Sequence, residues 1–356
     1  MQPLRLVLIG DGDSPHLLKW ARALADQPAL ELWAASSRGF MPGFETAVPA
    51  ARRLALDQRS DAAGGNVALL TQLPRLARWL QRADAHWLHA HYLSSHGTLA
   101  WLAQRLYGLR GRLVASAWGS DILVTPQRSA MMRWVTSRVL RASALTTSDS
   151  QVMAERMREL GAAEVMVFPF GPDALPPPPP AKDDALYYAN RGLEPIYRPD
   201  RVLRQFAALA GATGRLVVAN DGSLRPAIER QARELGLADR IRFVGRLGAD
   251  EQARWYARAR WYLSLPASDS VSVSVLEAMA HGCLPIVSDL PANRELVRDA
   301  ENGLIVPEAS LLQPAALQRL LPRADEAALA NRAWVQEHAL FPPRVRAFVE
   351  RLRELA

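Results

Sequence analysis

The sequence predicts an α/β protein made of two doubly wound domains. Three observations carry that prediction. Short apolar runs alternate with helix-like segments along most of the chain, the pattern of parallel sheets covered on both faces. The pattern occurs twice, on either side of a proline-rich stretch, GPDALPPPPPAKDD at 171–184. The chain has 356 residues, too many for one ordinary core and suited to two.

In the first half, LRLVLIG (4–10), LELWAA (30–35), HWLHAHY (86–92), RLVASAW (112–118), ALTTS (144–148) and EVMVFPF (164–170) read as strands. In the second half the strands are ALYYAN (185–190), GRLVVAN (214–220), RIRFVG (240–245), RWYLSLP (260–266) and CLPIVSD (283–289). Five consecutive prolines suit neither a helix nor a central strand and favour an extended connection. The expected domains are therefore 1–172 and 185–340, both Rossmann-like, joined by a linker at 173–184. After Val306 the signals turn helical. The segment PPRVRAFVERLREL (342–355) sets Val345, Phe348, Val349 and Leu352 on one face, so a closing helix is expected over 341–356. Doubly wound sheets bind ligands beyond the carboxyl ends of their strands, and two such domains facing each other make a cleft.

Composition narrows the class. The chain is 49% hydrophobic and 22% charged, as soluble globular proteins are. No run approaches the roughly 20 apolar residues of a membrane span. The first apolar run, Leu4–Ile9, is too short for the core of a signal peptide and reads as a buried strand. Cys283 is the one cysteine, which excludes an internal disulfide and a cysteine-based zinc site. A cytoplasmic protein is expected. Charge is uneven: 1–172 carries 19 Lys+Arg against 13 Asp+Glu, and 173–356 carries 24 against 23. Between Ala50 and Leu145 the balance is 13 to 4, which suits a polyanionic partner, either nucleic acid or an anionic membrane surface. Only Lys19 and Lys182 are lysines, so an arginine-biased composition accounts for the same excess.

Several positions suggest chemistry. Gly10 and Gly12 follow the first strand and precede a helix, a turn that suits a phosphate. Pro15 stands where a dinucleotide fingerprint needs its third glycine, so a nicotinamide enzyme is disfavoured. Asp11-Gly-Asp13 resembles a metal-binding DxD triplet but sits at the wrong strand. His89 and His91 share a strand face, with His91 at the tip. No carboxylate or cysteine stands beside them, so a cleft-facing His91 making polar or acid/base contact is preferred to a metal pair, with simple packing as the bland alternative. Asp121, in ASAWGSDILVTP, stands where a cleft-lining carboxylate or an N-cap belongs.

The stretch PASDSVSVSVLEAMAHGCLPIVSD (266–289) is the most informative. Its serine–valine alternation imitates a strand. Pro266 closes the preceding strand, Ser268–Ser272 offers caps, and Leu276, Met279 and Ala280 recur at helical spacing. A loop running into a helix is expected. Asp269 then precedes the helix and Glu277 sits in its second turn. Unpaired amides near Ser272 and Val273 would face an anion. That arrangement suits a sugar nucleotide: hydroxyls on Asp269, phosphate on the amides, and the ribose diol on Glu277.

These residues resemble the E-x7-E region of retaining GT-B glycosyltransferases of the family-4 type. Asp269 and Glu277 occupy the two acidic positions, and EAMAHGCLPIV follows as that pattern requires. LVVANDGSLRPAIERQARELGLADRIRFVGRL, NRELVRDAENGLIVP and VFPFGPD resemble further segments of the family, so the likeness covers most of the chain. It implies two Rossmann-like domains facing a cleft, the first on the acceptor side and the second binding the nucleotide-sugar. It implies retaining sugar transfer with no metal or other cofactor, UDP being the favoured nucleotide and GDP the next. The implied donor contacts are Gly12, Arg191, Arg198, Ser272, Val273 and Glu277, with the base near Val244–Leu247, including Val244 and Arg246. Asp269 stands at the implied catalytic position, with no nucleophile role assigned to it, and His91 or Asp121 is expected to carry part of the role of the family's histidine, whose place Trp118 takes. Closure about the linker would exclude water.

The sequence also departs from the pattern. Asp269 replaces a glutamate, Asn220 a glycine, and Trp118 a histidine. Arg198 lies two residues later than the expected lysine. RLARWLQR (75–82) and RSAMMRWVTSRVLRAS (128–143) read as basic amphipathic helices with tryptophan, which suit either a domain core under solvated arginines or an anionic membrane, the latter with a glycan or lipid-linked acceptor in cell-envelope polysaccharide or glycolipid assembly. No nucleic-acid recognition motif is present. Two further readings stay open: a non-catalytic nucleotide-sugar sensor of the same fold, and another GT-B enzyme such as a sugar-nucleotide epimerase or an inverting transferase.

Overall fold

The computed structural model describes residues 3–58, 67–179 and 181–356. The chain divides into two units, residues 1–168 with 342–356, and residues 169–341. Pro180, inside the expected linker, lies outside the described residues.

The first unit is built on seven strands: β1 (Leu4–Gly10), β2 (Leu30–Ser36), β3 (Arg53–Ala55), β4 (Trp87–His91), β5 (Arg112–Ser116), β6 (Ser143–Ser148) and β7 (Val165–Val167). Their order is β3-β2-β1-β4-β5-β6-β7, with every pairing parallel. β4 is buried at all five positions, as expected of a strand covered by helices on both faces. β3 escaped the sequence reading because its three residues are too few to show a period; β7, equally short, is legible in the longer apolar run around it.

The helix Leu73–Ala83 packs Leu76, Trp79 and Leu80 into the core and leaves Arg75, Arg78 and Arg82 outside. Trp79 is 5% exposed and meets Trp33 edge-on at 5.6 Å. Its apolar stripe is therefore core, and the membrane reading of 75–82 is corrected. The C-terminal helix Phe341–Leu355 returns to this unit. Val345, Phe348, Val349 and Leu352 are buried, and each is worth about 1.5–3 kcal/mol by area removed from water. Phe348 meets Trp20 at 5.2 Å and His89 at 5.0 Å, and Arg351 forks onto Glu164 at 2.6 and 2.8 Å.

The second unit has six parallel strands: β8 (Asp183–Ala189), β9 (Arg215–Ala219), β10 (Ile241–Gly245), β11 (Ala259–Ser264), β12 (Leu284–Ser288) and β13 (Leu304–Val306). Their order is β10-β9-β8-β11-β12-β13. β13 was hidden for the same reason as β3. The proline stretch is pinned to this unit: Arg332 donates to the carbonyl of Pro176 at 2.8 Å and to that of Ala280. Among the described residues, no helix is long and apolar enough to cross a membrane.

Candidate functional site

Strand order reverses between β8 and β11 in the second unit, and ligands of doubly wound sheets bind beyond the strand tips at such a point. Asn190 and Arg191 follow β8 directly, and Asp269 lies on the loop after β11. Arg191 Nη2 is 2.8 Å from the Asp269 carboxylate. Arg191 Nη1 donates to Ser272 Oγ and, at 3.3 Å, to Ser274 Oγ. The guanidinium lies 4.3 Å above the Tyr197 ring, a cation–π contact. Burial works against the Arg191 charge, but Asp269 beside it holds the guanidinium above its ordinary value. Burial also pushes the Asp269 carboxyl up, against the pull of Arg191.

The loop after β11 runs into the helix Val273–Ala280, as its sequence predicts. Ser272 is the N-cap residue, yet its hydroxyl makes no cap bond; Arg191 holds it instead. The first-turn amides at Val273 and Ser274 thus stand without a side-chain cap, beside a guanidinium. An anion placed there meets both.

Glu277 sits one turn deeper, and Tyr256 Oη lies 3.2 Å from its Oε2. That hydroxyl is also 3.2 Å from the Ser274 carbonyl and accepts from Asn190 Nδ2 at 2.8 Å. Asn190 donates to Gln252 Oε1 at 2.6 Å and accepts from Tyr262 Oη at 2.6 Å. Burial pushes Tyr256 and Tyr262 up, so both hydroxyls stay protonated and able to donate. Sequence reading missed Asn190, Tyr197, Tyr256 and Tyr262. Only Asn190, a polar residue at an apolar strand's tip, carried a signal.

Asn220, where the family has glycine, keeps the backbone glycine would give. Its φ is +87°, a left-handed conformation that asparagine tolerates better than most side chains. Asn220 Nδ2 donates to the Asn190 carbonyl at 3.1 Å, tying the tips of β8 and β9.

One expected donor contact, Arg198, is engaged elsewhere. Arg198 has φ +47° and forks onto Glu308 at 2.9 and 2.8 Å, which holds the Glu308 carboxyl down to about 2. Val244 lines a pocket of about 750 Å³ with Phe243, Leu247 and Trp255. That pocket uses the Glu251–Trp255–Arg258 face of the helix Ala249–Arg258, whereas Gln252 and Tyr256 reach Asn190 from another face. Arg246 is exposed just beyond it.

The first unit has its own reversal, between β1 and β4. The Gly12 amide there donates to Ser36 Oγ at 2.8 Å, so it is not an open phosphate donor. A Cβ at Gly12 would stand 2.7 Å from the Gly39 carbonyl oxygen and 2.6 Å from the Phe40 ring, so its glycine serves close approach of the 36–40 loop. His91 is 1% exposed, packed near Trp20, His89 and Trp118. Trp118 Nε1 donates to His91 Nδ1 at 3.1 Å. Burial holds His91 well below its ordinary value, with the neighbouring histidines adding to the effect. It is a neutral, packed ring, which matches the packing alternative and departs from the preferred cleft-facing acid/base group. Asp121 is fully buried and accepts the Leu93 amide at 3.0 Å and the Trp118 amide at 2.9 Å. It ties the loops after β4 and β5 together instead of lining a surface. His96, unremarked in the sequence, stands 3.5 Å from Asp11. Among the described residues, no three His, Cys, Asp or Glu side chains gather as a metal site needs.

Comparison with known proteins gives a consistent family. The profile described as glycosyl transferases group 1 matches residues 185–321, and the glycosyl transferase 4-like profile matches residues 5–150. An alpha-monoglucosyldiacylglycerol synthase of Streptococcus pneumoniae is 28% identical over 136 residues, 38% of this chain and 31% of that protein. A D-inositol 3-phosphate glycosyltransferase of Streptomyces scabiei is 26% identical over 279 residues, 68% of this chain and 61% of that protein. The chain therefore spans less than two thirds of the length of these curated relatives. Among solved structures, a sucrose-phosphate synthase of Thermosynechococcus elongatus superposes with a TM-score of 0.80 at 17% identity, covering 99% of each chain. Anabaena HepE in complex with UDP-glucose gives 0.72 at 15% identity, covering 99% of this chain and 100% of that one. At such identities the likeness is one of fold.

Proposed function

Because the chain belongs to the group 1 glycosyltransferases of GT-B fold, we propose that it moves a sugar from a nucleotide-sugar to a glycan or lipid-linked acceptor with retention of configuration. A UDP-sugar is the favoured donor and a GDP-sugar the next, and cell-envelope polysaccharide or glycolipid assembly at the cytoplasmic face of a membrane is the setting. The observation that carries the reading is the Arg191 cluster: a guanidinium at the sheet's switch point, paired with Asp269 and beside an uncapped helix start, with Glu277 held by Tyr256 one turn inside that helix. The names of the relatives, which speak of glycosyl transfer to inositol phosphate and of a diacylglycerol lipid, support it as kinship.

In this reading Arg191 and the amides of Val273 and Ser274 take the diphosphate. Glu277, held by Tyr256, takes the ribose diol, and Asp269 orients sugar hydroxyls. The backbone near Val244–Leu247 meets the base. The bond from the anomeric carbon to the diphosphate breaks, a bond to the acceptor oxygen forms, and the acceptor proton leaves to the diphosphate. Charge growing on the leaving diphosphate is met by donors already in place. No metal is needed.

The test is transfer or slow hydrolysis of nucleotide-sugars in the presence of a chelator, with the anomeric configuration of the product read by NMR. Retained configuration and full activity in chelator support the reading. An inverted product contradicts the stereochemistry, and binding with no turnover on any donor favours a sensor.

A further inference from the structure

The helix Ala130–Ala142 presents what the helix Leu73–Ala83 does not: large apolar side chains left outside the core. Met131 is 64% exposed and Trp134 is 52% exposed. They stand three residues apart, and Arg138 continues the same face one turn on. Trp134 meets Trp101 of the neighbouring helix Thr98–Tyr107 edge-on at 6.4 Å, and Arg105 follows Trp101 by one turn. Arg105, Arg133 and Arg138 are exposed and make no ion pair among the described residues. Between Ala85 and Ser148 the chain has seven arginines and one acid, Asp121, which is fully buried. The stretch that carries both helices is therefore basic and holds no exposed carboxylate of its own, and Met131 and Trp134 make the exposed part of the second helix apolar.

We propose that this two-helix face docks the protein on an anionic lipid surface, with Trp134 and Met131 entering the interface and Arg105, Arg133 and Arg138 meeting headgroups. The inference deepens the lipid-linked-acceptor reading and rests on it for its purpose, though not for its physics. Charge complementarity selects the occupant. A second copy would bring arginines against arginines. A nucleic acid would match the charge but needs an open aromatic face for stacking. Trp134 already has a partner on its ring: the Arg138 guanidinium lies over it at 5.2 Å, and Trp101 meets it edge-on. An arginine lying along an indole instead suits a membrane interface, where the ring sits at headgroup depth and the charge reaches the phosphates.

The test is co-sedimentation of the full chain with phosphatidylglycerol-containing vesicles and with pure phosphatidylcholine vesicles. Binding is expected only to the anionic vesicles at about 50 mM salt, with release at about 500 mM, where the Debye length shrinks to a few ångströms. Met131→Ala with Trp134→Ala, and separately Arg133→Glu with Arg138→Glu, should each weaken binding by at least about tenfold. Arg78→Glu with Arg82→Glu, on the helix whose tryptophan is core, should change it by no more than about twofold. Nucleotide-induced thermal stabilisation should be the same in all these variants, which shows that they fold. No binding to anionic vesicles at low salt, equal loss in the Arg78/Arg82 variant, or displacement from vesicles by a single-stranded oligonucleotide would overturn the proposal. Vesicle binding with no nucleotide effect on any variant would leave the surface standing and remove the transferase reading.

Discussion

Arg191 and Asp269 form a 2.8 Å ion pair at the point where the strand order of the second sheet reverses, with side chains 18% and 21% exposed. Each residue is thus held ready by the other before any ligand arrives. An incoming diphosphate competes with Asp269 for the same guanidinium. Replacing Asp269 with asparagine removes that competitor and keeps the shape. Nucleoside diphosphate affinity of Asp269→Asn should therefore hold or rise, while sugar transfer falls at least about 100-fold, the scale of one lost transition-state contact. Calorimetric titration beside a turnover assay separates the two effects.

Tyr256 joins Glu277, Ser274 and Asn190 through one hydroxyl. Tyr256→Phe leaves a buried asparagine amide short of an acceptor and frees the Glu277 carboxylate to turn. Stability should drop by about 1–3 kcal/mol, the cost of an unsatisfied buried polar group. The KM for the nucleotide-sugar should rise more than kcat falls, because Glu277 is assigned to the ribose. Urea denaturation and steady-state kinetics check the two halves.

His89 gives the fold a defined acid sensitivity. Burial lowers it from 6.5 to about 3, and it shares a 2.6 Å hydrogen bond with Ser116 Oγ. Between those values the unfolded chain binds a proton that the folded chain refuses. The stabilisation is full above about 6.5 and is lost progressively as pH falls toward about 3. From about pH 7.5 to about pH 5 this one group should cost about 2 kcal/mol. In His89→Gln, whose amide still reaches Ser116, the pH dependence of denaturation should be flatter by that amount, despite lower stability at neutral pH.

Arg198 is bound to Glu308, so its loss should matter less than that of Arg191. Arg198→Ala should weaken nucleotide binding by no more than about threefold, against at least about thirtyfold for Arg191→Ala, a gap of about 1.4 kcal/mol per factor of ten. Comparable losses would return Arg198 to the phosphate site.

Much of this architecture is legible in the amino-acid sequence. The helix at 273–280 announces itself because Leu276, Met279 and Ala280 keep helical spacing, and that spacing places Glu277 one turn inside. Buried strands such as β1 and β4 are plain apolar runs. Of the three three-residue edge strands, β3 and β13 are too short to show a period, whereas β7 lies inside the longer apolar run EVMVFPF. The support beneath Glu277 is invisible for another reason: Asn190, Tyr256 and Tyr262 meet across 66 and 72 residues of chain, and no local pattern encodes that meeting. Tryptophans 79 and 134 show the limit most clearly. Both lie in arginine-rich amphipathic segments, yet one is core and the other is surface, a difference made by neighbouring elements alone.

The central claim is that the Arg191 cluster binds the diphosphate of a nucleotide-sugar, and the most direct test is thermal stability against UDP, GDP, ADP, TDP and their common sugar conjugates. A ligand that binds only the folded chain stabilises it by about 2.7 kcal/mol at a hundredfold excess over its dissociation constant. The account predicts a clear upward shift with one base, UDP first, that disappears in Arg191→Ala. A full shift retained in Arg191→Ala, or no shift with any nucleotide or sugar conjugate, would contradict it.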